Sequence, residues 1–237
     1  MPESNYGEER VVRFGLASRL AHWSNAICFV LLLVTGAALV FPSFGHAVGP
    51  EGMRAFRQIH RVVAVPFAFL APLIMILGDP KALGNWLKEI FSWSKTDLEF
   101  ILAYPREFFG LKAKLPEQGK FNAGEKLNSL LTLFGCLMMA ITGFIMLYPG
   151  RFSPAVVGWA HPLHSLGALV IGGVIIGHAY LSLLHPHSKE SIKGMIWGTV
   201  SARFAREHHA KWYREAVKLR VQPAMRPIEG EEIDSIA

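Results

Sequence analysis

Four of the ten histidines in this 237-residue chain, His22, His60, His164 and His178, lie at the ends of apolar stretches long enough to cross a membrane. A histidine at such a depth is costly and is seldom placed there without a task. His164 and His178 share one stretch, 14 residues apart. At about 1.5 Å and about 100° per helical residue, they stand about 21 Å apart along the axis and about 40° apart around it. One helix therefore offers two imidazoles on one face, one near each side of a bilayer. A pair of stacked haems needs that arrangement, and it points to a protein that moves electrons across a membrane.

Spanning helices must position these side chains. The chain is 51% hydrophobic and 18% charged, and its apolar residues gather into blocks, as in an integral membrane protein. Four blocks approach or exceed the length needed to span the hydrocarbon core: roughly 22–41, 56–78, 126–148 and 158–184. The expected fold class is all-α: an integral membrane four-helix bundle forming a single domain over 1–237 and binding two b-type haems. Pro66 and Pro72 are expected to kink the second span. The acidic start MPESNYGEERVVR does not read as a cleavable leader. No internal repeat is visible.

Charge orients the bundle. Arg10, Arg13 and Arg19 precede span one, seven Lys and Arg lie between spans two and three, and nine follow span four. The other two connections carry only Arg54, Arg57 and Arg151. The positive-inside rule then makes both termini and the central connection cytoplasmic. Basic residues mixed with acidic ones beside membrane spans argue against nucleic acid as a partner of this +6 chain. Connection 79–123 reads as one or two interfacial helices, with Trp86, Ile90 and Trp93 beside Lys88, Glu89 and Lys95, and a break near Pro105. Residues 185–237 read as a basic cytoplasmic tail, helical in part, with a frayed end IEGEEIDSIA.

With this orientation, His22 and His178 fall at the cytoplasmic end and His60 and His164 at the outer end. Each pair could clamp one haem iron through two axial nitrogens. Interfacial histidines bonded to lipid or to neighbouring helices are the alternative. It suits any single one of them better than four that pair by depth. A tetrahedral metal site fits poorly, because the two pairs are distant. Cys28 and Cys136 read as small buried hydrophobes. With no C-x-x-C-H and no cysteine cluster, covalent haem and iron–sulfur centres are disfavoured, and any haem is b-type. Gly36, 14 residues after His22, could leave room for the second haem. His161 lies about 100° off the shared face and reads as surface or supporting. His46 falls in an outer loop, and His185, His187, His208 and His209 read as solvated or lipid-facing. Arg61 and Arg19 suit haem propionates as well as lipid headgroups.

From about Arg13 to Lys218 the chain resembles the cytochrome b (gamma) subunit of membrane-bound respiratory formate dehydrogenases; related subunits serve some thiosulfate reductases. The resemblance is carried by RLAHWSN around His22, RQIHR around His60, KFNAGEK at 120–126, PLHSLGAL around His164, HAYLS from His178, and SIKGMIWGTVSARFAREHHAKWYRE at 191–215. It implies two b haems, one held by His22 and His178 and one by His60 and His164. It also implies a quinone (menaquinone or ubiquinone) beside the inner haem, contacted by Asn122, Gly124 and His178. Asn122 reads equally well as the N-cap of span three, with Glu125 three residues on. The implied setting is the bacterial inner membrane, with an iron–sulfur beta subunit, a molybdenum or tungsten alpha subunit that oxidises formate, and heterotrimers that assemble further. No residue of this chain would be catalytic in the sense of touching formate. A thiosulfate, polysulfide or hydrogenase complex is the alternative setting. A haem-free anchor or transporter is a third, and the lack of repeat symmetry counts against a transporter.

Overall fold

The computed structural model describes residues 9–186 and 188–221. His187 and the segment IEGEEIDSIA lie outside them. A short strand β1 (Arg10–Val12) leads into α1 (Leu16–Val40), which is followed by α2 (Pro42–Gly78), α3 (Pro80–Phe91) and α4 (Lys95–Phe108). Next come α5 (Ala123–Leu147) and α6 (Pro154–Leu183), then α7 (Ser191–Trp197), β2 (Thr199–Ser201), α8 (Ala202–His208) and α9 (Ala210–Val221).

Helices α1, α2, α5 and α6 are long and apolar enough to cross a membrane. A helix satisfies its own backbone groups, which is why such stretches fold this way in hydrocarbon. Their outward faces carry exposed apolar side chains such as Val34, Phe69, Leu137 and Ile176, as lipid-facing surfaces do. The spans pair as two antiparallel hairpins, α1 with α2 and α5 with α6. The hairpins pack closely within themselves and meet each other more sparingly.

Helix ends follow local chemistry. Asn122 and Glu125 form a reciprocal capping box at the start of α5, and Ser94 and Asp97 form another at α4. Asp79 ends α2 and caps α3 by accepting from the Ala82 N–H at 2.9 Å. The backbone keeps helical dihedrals through Pro66 and Pro72. Helical dihedrals are interrupted at Gly49, whose φ of 74° is open to glycine and which precedes Pro50. His46 is exposed on the helical turns before that break rather than in an open loop. Two helices, α3 and α4, occupy the central connection, and α4 runs on past Pro105 to Phe108.

The tail folds back. Strand β2 pairs antiparallel with β1, with Val11 opposite Val200, and both are buried with Ala202, Phe204 and Ala205. Gly198 (φ 82°) closes this turn; a Cβ there would stand 2.9 Å from the Phe14 carbonyl oxygen.

Candidate functional site

Helix α6 carries His164 and His178, and each meets a histidine from the other hairpin. The rings of His22 and His178 are 6.2 Å apart between centroids and inclined at 59°. Those of His60 and His164 are 6.3 Å apart and inclined at 68°. Two metal–imidazole bonds of about 2 Å, plus about 1 Å from each nitrogen to its ring centre, place two rings about 6 Å apart across one metal ion. Both pairs therefore have the spacing of a bis-histidine clamp. Among the described residues no group of three or more His, Cys, Asp or Glu could hold a metal ion, which leaves paired nitrogens as the available donor set. His22 Nδ1 is buried without a hydrogen-bond partner among the described residues. An unmet buried nitrogen costs about 1–3 kcal/mol.

Between the two pairs lies an apolar layer of Cys28, Phe29, Phe67 and Ile171, flanked by Leu33, Cys136 and Met139. Ile171 is seven residues from each histidine of α6, midway along their shared face. The layer keeps the two ends apart. Both cysteines are free, as a packing role requires.

The segment 118–126 lies beside the His22/His178 end. Asn122 Oδ1 accepts from the Glu125 N–H at 2.9 Å, and Glu125 accepts from the Asn122 N–H at 3.0 Å. This capping role occupies the amide oxygen of Asn122 and leaves its NH2 as a donor. A Cβ on Gly124 would stand 3.2 Å from Asn122 Oδ1, so glycine here leaves the amide uncrowded. The Glu125 carboxylate is close enough to act electrostatically on His178. An aromatic run on α4, Phe100, Tyr104 and Phe108, reaches Tyr180 and His185 on the other side. Burial raises the Tyr104 pKa, and the carboxylates of Glu107 and Glu125 add to it.

Residues 13–198 match the family described as prokaryotic cytochrome b561. The chain belongs to that family. Membership makes it a membrane cytochrome b and implies b-type haem. This b561-family chain is also similar to the "Formate dehydrogenase, cytochrome b556 subunit" of Haemophilus influenzae, at 29% identity over 89% of the chain and 85% of that protein. It is 28% identical to the nitrate-inducible formate dehydrogenase cytochrome b556(Fdn) subunit of Escherichia coli K12, over 88% of the chain and 92% of the relative. A putative cytochrome YdhU of the same organism is 28% identical over 80% of the chain and 74% of its own length.

Other parts of the b561-family chain were not legible in its sequence. The tail, which carries no obvious chemistry as a string, clamps the 118–126 turn. His209 is 1% exposed, not solvated, and its Nδ1 donates to the Gly119 carbonyl at 2.9 Å. The Lys211 N–H donates to the Gln118 carbonyl, and Arg214 pairs with Glu117. From the N-terminal side, buried Arg13 donates to the Lys120 carbonyl at 2.8 Å and to Glu125 at 3.0 Å. His185 is likewise buried, stacked on Phe108 at 5.4 Å. Arg19 donates to the Ile196 carbonyl and so ties α1 to α7 rather than standing free. Arg61 is exposed on α2.

His209 gives this clamp a pH dependence. Burial, and then the Arg13 guanidinium, push its pKa from 6.5 down to about 4; His208 adds to this, while Glu125 and the Gly119 carbonyl oppose it. The unfolded tail binds a proton near pH 6.5, and the folded tail does not until about pH 4. The contribution of neutral His209 is therefore complete above about 6.5 and is lost as pH falls toward 4. Amide hydrogen exchange over residues 199–217, corrected for intrinsic rates, is expected to quicken across that window. A His209→Gln variant should flatten the dependence; an acid slope that survives it belongs to another group.

Proposed function

We propose that this chain is the di-haem membrane subunit of a formate dehydrogenase, passing electrons from an iron–sulfur partner across the bilayer to a quinone. The observation that carries this reading is the pair of facing histidine sets at opposite ends of one bundle, both served by α6. The names of the relatives supply the substrate of the complex.

His22 and His178 would hold one haem, and His60 and His164 the other. Bound there, the haems supply reversible one-electron chemistry. The protein's own work is to hold the two pairs about 21 Å apart along α6 and to keep water out with the Phe29–Phe67–Ile171 layer. Both termini and the central connection lie on the cytoplasmic side of the inner membrane, by their excess of Lys and Arg. The His22/His178 end is then cytoplasmic, and the His60/His164 end faces the iron–sulfur beta subunit and the molybdenum or tungsten alpha subunit. Formate is oxidised in the alpha subunit, and the heterotrimers assemble further.

Quinone binds at the start of α5. The Asn122 NH2 donates to a quinone carbonyl, Gly124 keeps that approach open, and His178 stands at the inner edge. Asn122→Ala is expected to slow quinone reduction at least tenfold while sparing both haems. Its cap loss costs only about 1 kcal/mol. Stopped-flow quinone reduction and a haem spectrum of the same sample separate the roles; haem lost in step with activity would make Asn122 a structural cap alone.

The test of the whole reading is an optical spectrum of the detergent-extracted complex before and after formate. Haem b reduced by formate and reoxidised by a quinone is the expected result. Haem b that ignores formate and answers only to a quinol would move the chain to a thiosulfate, polysulfide or hydrogenase complex.

A further inference from the structure

At the His60/His164 end, both imidazoles are gripped in the same way by the neighbouring helix. Thr35 Oγ1 lies 2.9 Å from His60 Nδ1, and Thr142 Oγ1 lies 2.8 Å from His164 Nδ1. Each hydroxyl also stands 2.7 Å from the carbonyl four residues back, Leu31 for Thr35 and Met138 for Thr142. A hydroxyl has one proton, and a carbonyl can only accept. In one tautomer the proton goes to that carbonyl and the hydroxyl oxygen accepts from the ring; the Leu32 and Met139 carbonyls, which can only accept, also stand within hydrogen-bond reach of the His60 and His164 rings and favour that arrangement. That arrangement is the Nδ1–H tautomer of each ring, which leaves Nε2 as the ligating nitrogen.

The residue after each threonine completes the grip. A Cβ on Gly36 would stand 3.2 Å from His60 Cε1, and one on Gly143 would stand 3.3 Å from His164 Cε1. Any larger side chain would push the ring edge. The two grips occupy equivalent places: Thr35-Gly36 precedes Pro42 and Thr142-Gly143 precedes Pro149 by the same interval. Each sits on the first helix of a hairpin and holds the histidine of the second. The other pair is built differently, since His22 Nδ1 has no hydrogen-bond partner among the described residues.

We propose that Thr35 and Thr142 are positioning residues for the His60/His164 haem: they fix the tautomer and rotation of both ligands and lower that haem's reduction potential. The proposal rests on the di-haem reading above. A ring that donates from Nδ1–H becomes a more basic ligand at Nε2. A more basic ligand favours ferric over ferrous iron, so losing the hydrogen bond raises the potential. Gly36 and Gly143 are the steric half of the same device.

The experiment is a redox titration of the two haems in the purified complex carrying Thr35→Val, Thr142→Val, or serine at either position. Valine keeps the shape and removes the hydroxyl, leaving only the Leu32 or Met139 carbonyl as an acceptor; serine keeps the hydroxyl. Each valine variant should raise the potential of one haem, by about 59 mV for every tenfold loss of ferric preference, and serine should restore it. The shifted component should be the one missing from a His60→Ala complex. Loss of that haem in the valine variants but not in the serine ones would also support the hydroxyl's role. Two haems with unmoved potentials in the valine variants would overturn the proposal while leaving the di-haem reading intact; equal damage from valine and serine would reduce the threonines to packing. A native complex without two haems would remove the underlying reading itself.

Discussion

Alanine in place of His178 is expected to cut haem b in the purified complex from two per chain to one and to abolish quinone reduction. His178 faces His22 at 6.2 Å, the spacing of a bis-histidine clamp. Removing even an outer-shell partner of a metal ligand typically costs about 10–100-fold in affinity, and removing an axial ligand should cost more. The His60/His164 pair, across the apolar layer, should keep its haem and still be reduced by formate. Haem content by alkaline pyridine extraction, with a formate-reduced spectrum, reads both effects. Unchanged haem content in a complex of normal subunit composition would falsify the assignment of His178. The mirror variant, His60→Ala, should instead lose the haem that formate reduces first, leaving a complex that quinol can reduce but formate cannot.

The second large effect concerns stability. Lys126 Nζ donates to Asp97 Oδ1 at 3.0 Å and to the Ser92 carbonyl at 3.1 Å, with the two side chains 10% and 6% exposed. This pair ties α4 to the start of α5. Burial pushes the Asp97 carboxyl upward, but hydrogen bonds from Ser94 and Lys126 outweigh it and hold its pKa below the ordinary value. Lys126→Met should cost about 3–5 kcal/mol, because it leaves a buried carboxylate without its counter-charge. Adding Asp97→Asn, which can still cap Ser94, should recover much of that loss. Thermal melting of the detergent-solubilised complex measures both. A single variant as stable as the native protein, or a double variant no better than the single, would show that the pair is not a buried charge pair in the assembled protein. Detachment of α4 would also disturb the aromatic run that brings Tyr104 within electrostatic reach of Glu125, so quinone turnover should fall with stability.

The axial layout of this protein was readable from the chain. Span length sets depth, and the helical repeat sets direction, so the chain alone assigns His22, His60, His164 and His178 to ends and pairs them. The structure brings those pairs to 6.2 and 6.3 Å. Asn122 was legible as a cap for a similar reason, since a capping box is a local pattern three residues long.

What the chain concealed lies in contacts between distant residues. Thr35 and Thr142 stand against His60 and His164 only because the hairpins place them there. The tail reads as a polar surface strip until β2 pairs with β1 and His209 reaches Gly119, 90 positions away. Burial of His185 under Phe108 and the partners of Arg13 and Arg19 belong to the same class. Periodicity reports which face of a helix a residue occupies and how deep it lies. Only the packing of one helix on another decides what stands opposite, and therefore which groups a histidine ring can bond.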